Sequence, residues 1–201
     1  MKCRVFTIVV LFAASFAPSF LFAQDLANGV FLVAQPALTD PTFSRTVVLI
    51  TQPPLVGPIG VIINRPTAVP LRDVLPKHEN IAALPHTLHI GGPVLQQGLL
   101  FLVRAESPPP GSIPVLRDVY LMGDADWVDN ALQAGNALSA VRVFAGHAGW
   151  APGQLQNELK REGWYVLPAD SETVFEKEAA AIWPELVRRA VLRPTAIHKI
   201  Q

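Results

Sequence analysis

The sequence predicts a single α+β domain in which about seven strands form a central sheet covered by helices. Short apolar runs rich in Val, Ile, Leu and Phe recur between glycines and prolines, which is typical of strands rather than of a helical bundle. Helical spacing is concentrated in the second half of the chain. With 201 residues, 50% of them hydrophobic and 16% charged, the chain is long and apolar enough to bury one substantial core.

The apolar runs define the predicted strands. Continuous apolar stretches such as residues 47–50 indicate strands covered on both faces, because a strand with one solvent-exposed face would alternate apolar and polar residues. The predicted strands are residues 29–34, 45–51, 59–64, 87–90, 98–103, 115–121 and 140–144, with residues 164–167 as a candidate eighth.

Three helices are predicted, over residues 124–134, 154–162 and 176–192. Asp124 is a candidate N-cap of the first, and Pro184 marks a kink or a restart in the third. The proline-rich stretch 106–112 is interpreted as a loop, because neither flank has enough strands to close a core of its own.

The first residues have the order of a secretory signal. Lys2 and Arg4 precede an apolar run that ends at the small residue Ala23. We therefore expect residues 1–23 to be a signal peptide, residues 24–201 to form the domain, and the mature protein to be exported to the periplasm. The alternative is a membrane anchor formed by residues 5–23, which approaches the length that spans a bilayer.

Charge and cysteine content narrow the classes of function. Loss of Lys2 and Arg4 with the signal changes 16 basic against 16 acidic residues into 14 against 16. A domain so close to neutral, with no basic stripe, is not expected to bind nucleic acid. Cys3, the only cysteine, lies in the same segment. The mature chain is therefore expected to hold no disulfide and no cysteine-based metal site. No other metal site and no cofactor are expected either.

The richest candidate site is the segment 144–155, predicted to run from a strand through a glycine-rich turn into a helix. Backbone N–H groups at a helix start can hold an anion or a carbonyl oxygen. The phosphate-loop and dinucleotide patterns both fail, because no lysine follows the last glycine and the glycine spacing is wrong. The structural alternative is a tight turn with positive φ, at Gly149 among others. The candidate ligand-binding residues here are Gly146, His147, Gly149, Trp150, Gly153 and Gln154.

A second glycine cluster, Gly91-Gly92 followed by Pro93, ends one predicted strand and precedes another. Its structural interpretation is a turn or a close backbone crossing. Its functional interpretation is a ligand-binding wall that faces the segment 144–155 across a cleft.

Other polar residues offer weaker candidates. Asp40 and Asn64 are predicted to close turns, and Arg45 is a candidate for binding a carboxylate or a phosphate. His86 and His89 are expected to point to opposite faces of an extended segment, so they are poorly placed to share a metal ion.

Several short motifs occur in a fixed order along the domain. They are FLVAQP at 31–36, DP at 40–41, Phe43, GVIINRP at 60–66, GGPV at 91–94, AGW at 148–150 and PGQL at 152–155. Together they resemble the YqgE/AlgH family across essentially the whole predicted domain. The resemblance implies a mixed sheet that is strongly bent and barrel-like, flanked by helices, and it implies no enzyme activity.

Three functions are weighed. The favoured one is a non-catalytic binding or regulatory module outside the cytoplasm that holds a small ligand or a protein partner. The second is a hydrolase in which Ser44 or a water is the nucleophile, His147 the base, and N–H groups near Gly149 and Gly153 the oxyanion donors. It requires His147 to meet a Ser, Asp or Glu side chain. The third is transcriptional regulation, as described for a family member in alginate-producing bacteria, which the export signal and the neutral charge disfavour.

Overall fold

The computed structural model describes residues 29–51, 53, 57–135 and 137–192. The predicted signal peptide, residues 1–23, lies outside these residues.

Ten strands of the described residues form one curled sheet. Neighbours pair in the order β10-β1-β2-β3-β9-β6-β8-β7, and the pair β4–β5 joins the sheet through β9. All pairs are antiparallel except β5–β9. This half-barrel with flanking helices confirms the predicted single α+β domain with a bent, mixed sheet. The strands are β1 (Val30–Ala34), β2 (Val47–Thr51), β3 (Ile59–Ile62), β4 (Pro66–Pro70), β5 (Thr87–Ile90), β6 (Val94–Arg104), β7 (Ile113–Pro114), β8 (Val119–Met122), β9 (Ala140–Gly149) and β10 (Trp164–Pro168).

Six helices lie in the described ranges. They are α1 (Leu71–Val74), α2 (Glu79–Ala82), α3 (Ala125–Ala134), α4 (Gln154–Lys160), α5 (Ser171–Phe175) and α6 (Ala179–Leu192). Asp124 caps α3 as predicted, because its side chain accepts a hydrogen bond from the Trp127 N–H at 2.9 Å. The third predicted helix, over residues 176–192, corresponds to α6, which begins three residues later and contains Pro184. α5 precedes the predicted range and was not predicted. None of these helices combines the length and apolar character needed to cross a membrane.

The helices cover the sheet over three apolar clusters. α5 and α6 pack on the first cluster through Val174, Ile182 and Leu186, and α4 packs on the third through Leu155. α1, α2 and α3 cover the second cluster, which includes Phe101. All five residues of β1 and all five of β2 are buried, which confirms that continuous apolar runs mark strands covered on both faces.

Candidate functional site

The two predicted glycine segments meet at a close backbone crossing. The Gly91 N–H donates to the Ala145 carbonyl at 2.8 Å, and the Gly91 carbonyl accepts from the Ile62 N–H at 2.8 Å. A Cβ on Gly91 would lie 2.2 Å from the Gly146 carbonyl oxygen. A Cβ on Gly92 would lie 2.2 Å from the His147 carbonyl carbon. These glycines therefore let two chain segments touch, and the segments are in direct contact at the crossing.

Gly149 lies in a strand, whereas the sequence predicted a turn there. β9 continues through Gly149, which pairs with Ile59 of β3. The expected positive φ at Gly149 is wrong: the left-handed residues in this segment are Gly146, at φ 68°, and Gly153, at φ 78°. Gly146 bends the strand at the crossing, and Gly153 precedes α4, so Gly149 has no turn to form.

Trp150 and Gln154 belong to a hydrogen-bond network centred on Glu158. Glu158 Oε2 accepts from the indole N–H of Trp150 and from that of Trp164, each at 3.0 Å. Gln154 donates to Glu158 Oε1 at 3.0 Å and accepts from the Ala151 N–H at 3.1 Å. Both indoles are at least nine-tenths buried, so this network ties the start of α4 to the sheet. Sequence reasoning missed Glu158.

The turn before β2 is fixed as predicted by Asp40 and Asn64. Asp40 Oδ1 accepts from the N–H groups of Thr42 at 2.8 Å and Phe43 at 3.1 Å. The Asn64 side chain accepts from the Val47 N–H at 2.8 Å and donates to the Arg45 carbonyl at 2.9 Å. Both side chains therefore stabilise turns, as predicted.

His147 lies at the crossing, opposite Val94 of β6, and is partly exposed. Burial lowers its pKa, which favours the neutral imidazole. Over the described ranges, no hydrogen bond joins this imidazole to a Ser, Asp or Glu side chain. The hydrolase hypothesis required such a contact, so these residues supply it with no activated nucleophile.

A half-buried cation that the sequence did not reveal, Arg142, also lies on β9. Arg142 donates to the Phe175 carbonyl at 2.9 Å, and its second amino group approaches His89 Nε2 at 3.4 Å. The His89 side chain is only 3% exposed, and its Nδ1 lies 3.1 Å from the Thr87 carbonyl. A neutral His89 with its proton on Nδ1 satisfies both contacts.

Burial and the Arg142 cation lower the pKa of His89 to about 4. A histidine with a depressed folded pKa contributes stability that is full above its unfolded pKa, about 6.5. That contribution is lost as the pH falls towards 4, because the unfolded chain then binds the proton more readily. We expect it to be worth about 3 kcal/mol of unfolding free energy.

The measurement is urea unfolding of the parent and of His89→Gln across this pH range. His86 lowers the pKa of His89, and Glu178 raises the pKa of Arg142. Both residues remain in the variant. Protonation of carboxylates destabilises both proteins alike. The variant lacks the His89 imidazole, so it should lose less stability than the parent on acidification. Parallel pH profiles would show that His89 contributes nothing to the acid sensitivity.

Exposed apolar side chains gather beside the crossing. We call the β6 bulge surface the set Ile90, Val94, Leu95, Gln96, Gln97, Gly98 and His147. Leu95 is 73% exposed and has a left-handed φ of 50°, and Ile90 and Val94 are 41% and 39% exposed. Residues 95–98 bulge between Val94 and Leu99, which are the next residues paired with β9. β8 pairs only with residues 101–104 of β6, so among the described residues no strand pairs with the bulge on that side.

The structure therefore brings together some of the predicted ligand-binding residues. Gly91, Gly92, Gly146 and His147 meet at the crossing, and Pro93 is exposed beside them. Trp150, Gly153 and Gln154 lie beyond Gly149, at the start of α4. Ligand binding by these residues stays a prediction.

A sequence model of the AlgH-like family matches residues 31–195 of the chain. A UPF0301 protein of Mycobacterium tuberculosis is 38% identical over 175 residues, which cover 85% of each chain. A UPF0301 protein of Mycobacterium avium is 37% identical over 175 residues, covering 85% of this chain and 86% of the relative.

Two solved structures are similar to this fold. The crystal structure of a Corynebacterium diphtheriae protein aligns with a TM-score of 0.67 and 29% identity, covering 81% of this chain and 86% of the other. The solution structure of AlgH from Pseudomonas aeruginosa aligns with a TM-score of 0.66 and 26% identity, covering 89% and 93%.

Proposed function

The chain belongs to the AlgH-like family, and we propose that it works outside the cytoplasm as a non-catalytic module that binds a partner protein. The bound element is an extended segment of the partner, which lies along the β6 bulge surface. Gly91, Gly92 and Gly146 have a supporting role in this proposal: by permitting the crossing, they hold the bulge above β9.

The observation that carries the proposal is the exposure of an uncharged strand segment. All five residues from Val94 to Gly98 are exposed, and no charged side chain occurs in residues 90–99. An unpaired strand edge presents N–H and C=O groups that an extended chain can pair with. Long apolar side chains exposed together also mark sites of protein interaction.

The apolar anchors indicate what the partner presents. Val94 and His147 are cross-strand partners, as are Ile90 and Ala145, and cross-strand partners share a face of the sheet. An extended segment places alternate side chains on one face. The partner segment is therefore expected to carry apolar residues at alternate positions, with no requirement for charge.

A peptide array tests this function. Immobilised peptides with alternating valine and threonine are the probes, and the same peptides with a central proline are the negative set, because proline lacks the N–H needed for strand addition. We expect the parent to prefer the first set. Leu95→Lys should weaken binding at least tenfold without a change in melting temperature, since the side chain is 73% exposed.

Leu192→Lys is the matched control, because Leu192 is 79% exposed and lies at the end of α6. It should bind as the parent does. Equal loss in both variants, or no loss in Leu95→Lys, would exclude the β6 bulge surface as the binding site.

Export is the second element of the proposal, and the order Lys2, Arg4, apolar run and Ala23 supports it. N-terminal sequencing of the protein from the periplasmic fraction should begin at Gln24. Recovery of an intact Met1 from the membrane fraction would instead establish the anchor formed by residues 5–23.

A further inference from the structure

A surface cavity separates the turn before β2 from α6. Its volume is about 400 Å³, within the range of about 300 to 1,000 Å³ that small-molecule sites occupy. The residues that line it are Arg45, Asn64, Ala179, Ala180, Trp183 and Pro184. None of them belongs to the β6 bulge surface, so the site is independent of the partner-binding proposal.

Arg45 supplies the charge of this cavity. Its guanidinium carbon lies 5.6 Å from the centre of the Trp183 ring, and the ring is fixed by an indole N–H that donates to the Ala34 carbonyl at 2.8 Å. The Arg45 backbone is left-handed, with φ 56°, and the Asn64 side-chain amide donates a hydrogen bond to the Arg45 carbonyl. Within the described ranges no carboxylate pairs with this guanidinium. Its N–H donors therefore remain available to a ligand.

We infer that the cavity binds a small monocarboxylate with an apolar body, held by Arg45 and packed against Trp183. Guanidinium matches a carboxylate with two parallel hydrogen bonds, and the Asn64 amide carries a second N–H beside it. Ala179, Ala180 and Pro184 form apolar walls, which suit a hydrocarbon group. One cation balances one negative charge, so a phosphate dianion is the poorer match.

Phenylacetate is the probe, and titration of the full mature protein is followed by calorimetry and by Trp183 fluorescence. Phenylacetamide has the same shape without the charge, and inorganic phosphate has the charge without the apolar body. We expect phenylacetate to bind at least tenfold more tightly than either. A short peptide ending in phenylalanine, with a free or an amidated C-terminus, then distinguishes a peptide carboxylate from a free acid as the natural source.

Single-residue variants test whether phenylacetate binds in this cavity. Arg45→Ala should weaken phenylacetate binding at least tenfold. Arg188→Ala, which removes an exposed arginine of α6 that does not line the cavity, should leave it unchanged. Trp183→Phe should abolish the fluorescence response. Ala180→Leu fills the cavity without touching the turn, so it should block binding even if Arg45→Ala fails to fold.

Several results would overturn the inference. They are equal binding of phenylacetate and phenylacetamide, tighter binding of phosphate than of phenylacetate, and parent-like affinity in a folded Arg45→Ala or Ala180→Leu protein. Absence of any phenylacetate binding to the parent would equally overturn it.

Discussion

Gly91→Ala is expected to lower the free energy of unfolding by about 3 to 5 kcal/mol, a large part of the stability of a domain of this size. The new Cβ would lie 2.2 Å from the Gly146 carbonyl oxygen, which is backbone and cannot rotate away. Overpacking alone costs about 1 to 3 kcal/mol. Moving Gly91 also breaks its backbone hydrogen bonds with Ala145 and Ile62, at about 1 kcal/mol each.

Gly149→Ala is the matched control for this prediction. A Cβ there would meet only the His147 ring, at 3.8 Å, which is an ordinary contact. Its free energy of unfolding should stay within about 1 kcal/mol of the parent value. Urea denaturation of both variants makes the comparison, and similar losses in the two would mean that the close crossing is not what Gly91 provides.

Glu158→Ala is expected to cost about 4 kcal/mol, because it leaves the indole N–H groups of Trp150 and Trp164 buried without an acceptor. Each unsatisfied buried donor costs about 1 to 3 kcal/mol. The Gln154 side chain loses its partner as well. Thermal and urea unfolding measure the loss.

Glu158→Gln can place its amide oxygen where Oε2 accepts from both indoles, so it should lose much less stability than Glu158→Ala. Gln156→Ala, at an exposed position of the same helix α4, is the control and should change stability by less than about 0.5 kcal/mol. A Glu158→Ala protein as stable as Gln156→Ala would show that water satisfies both indoles and that the network is not structural.

The elements that follow from local sequence were predictable. β1 and β2 are continuous apolar runs, and α3 has an aspartate cap and a glycine at its end. β4 was missed because it begins and ends with proline and is mostly exposed, which are features that weaken a strand pattern. β9 was predicted to stop at residue 144, since glycines usually end a strand, yet its pairing with β3 carries it to Gly149.

The candidate site depended on contacts that no local pattern encodes. The GGPV motif identified the residues of the crossing, but Gly91 touches Gly146 only because β5 and β9 pair in parallel. Gln154 and Glu158 are four apart on a helix, which was a usable signal for their hydrogen bond. The second indole that donates to Glu158 belongs to Trp164 of β10, and this contact could not be predicted without the fold. Leu95 lies before the predicted strand 98–103, and its exposure depends on the bulge between Val94 and Leu99, which no local pattern encodes.

Backbone amide exchange, measured residue by residue by NMR, tests binding at the β6 bulge surface most directly. The protein is compared alone and with the tightest-binding peptide from the array. If the peptide adds to β6, exchange at residues 94–98 should slow at least tenfold, with little change at the opposite sheet edge, β10. Protection confined to β10, or unchanged exchange at residues 94–98 in the saturated complex, would contradict the proposed mode of binding.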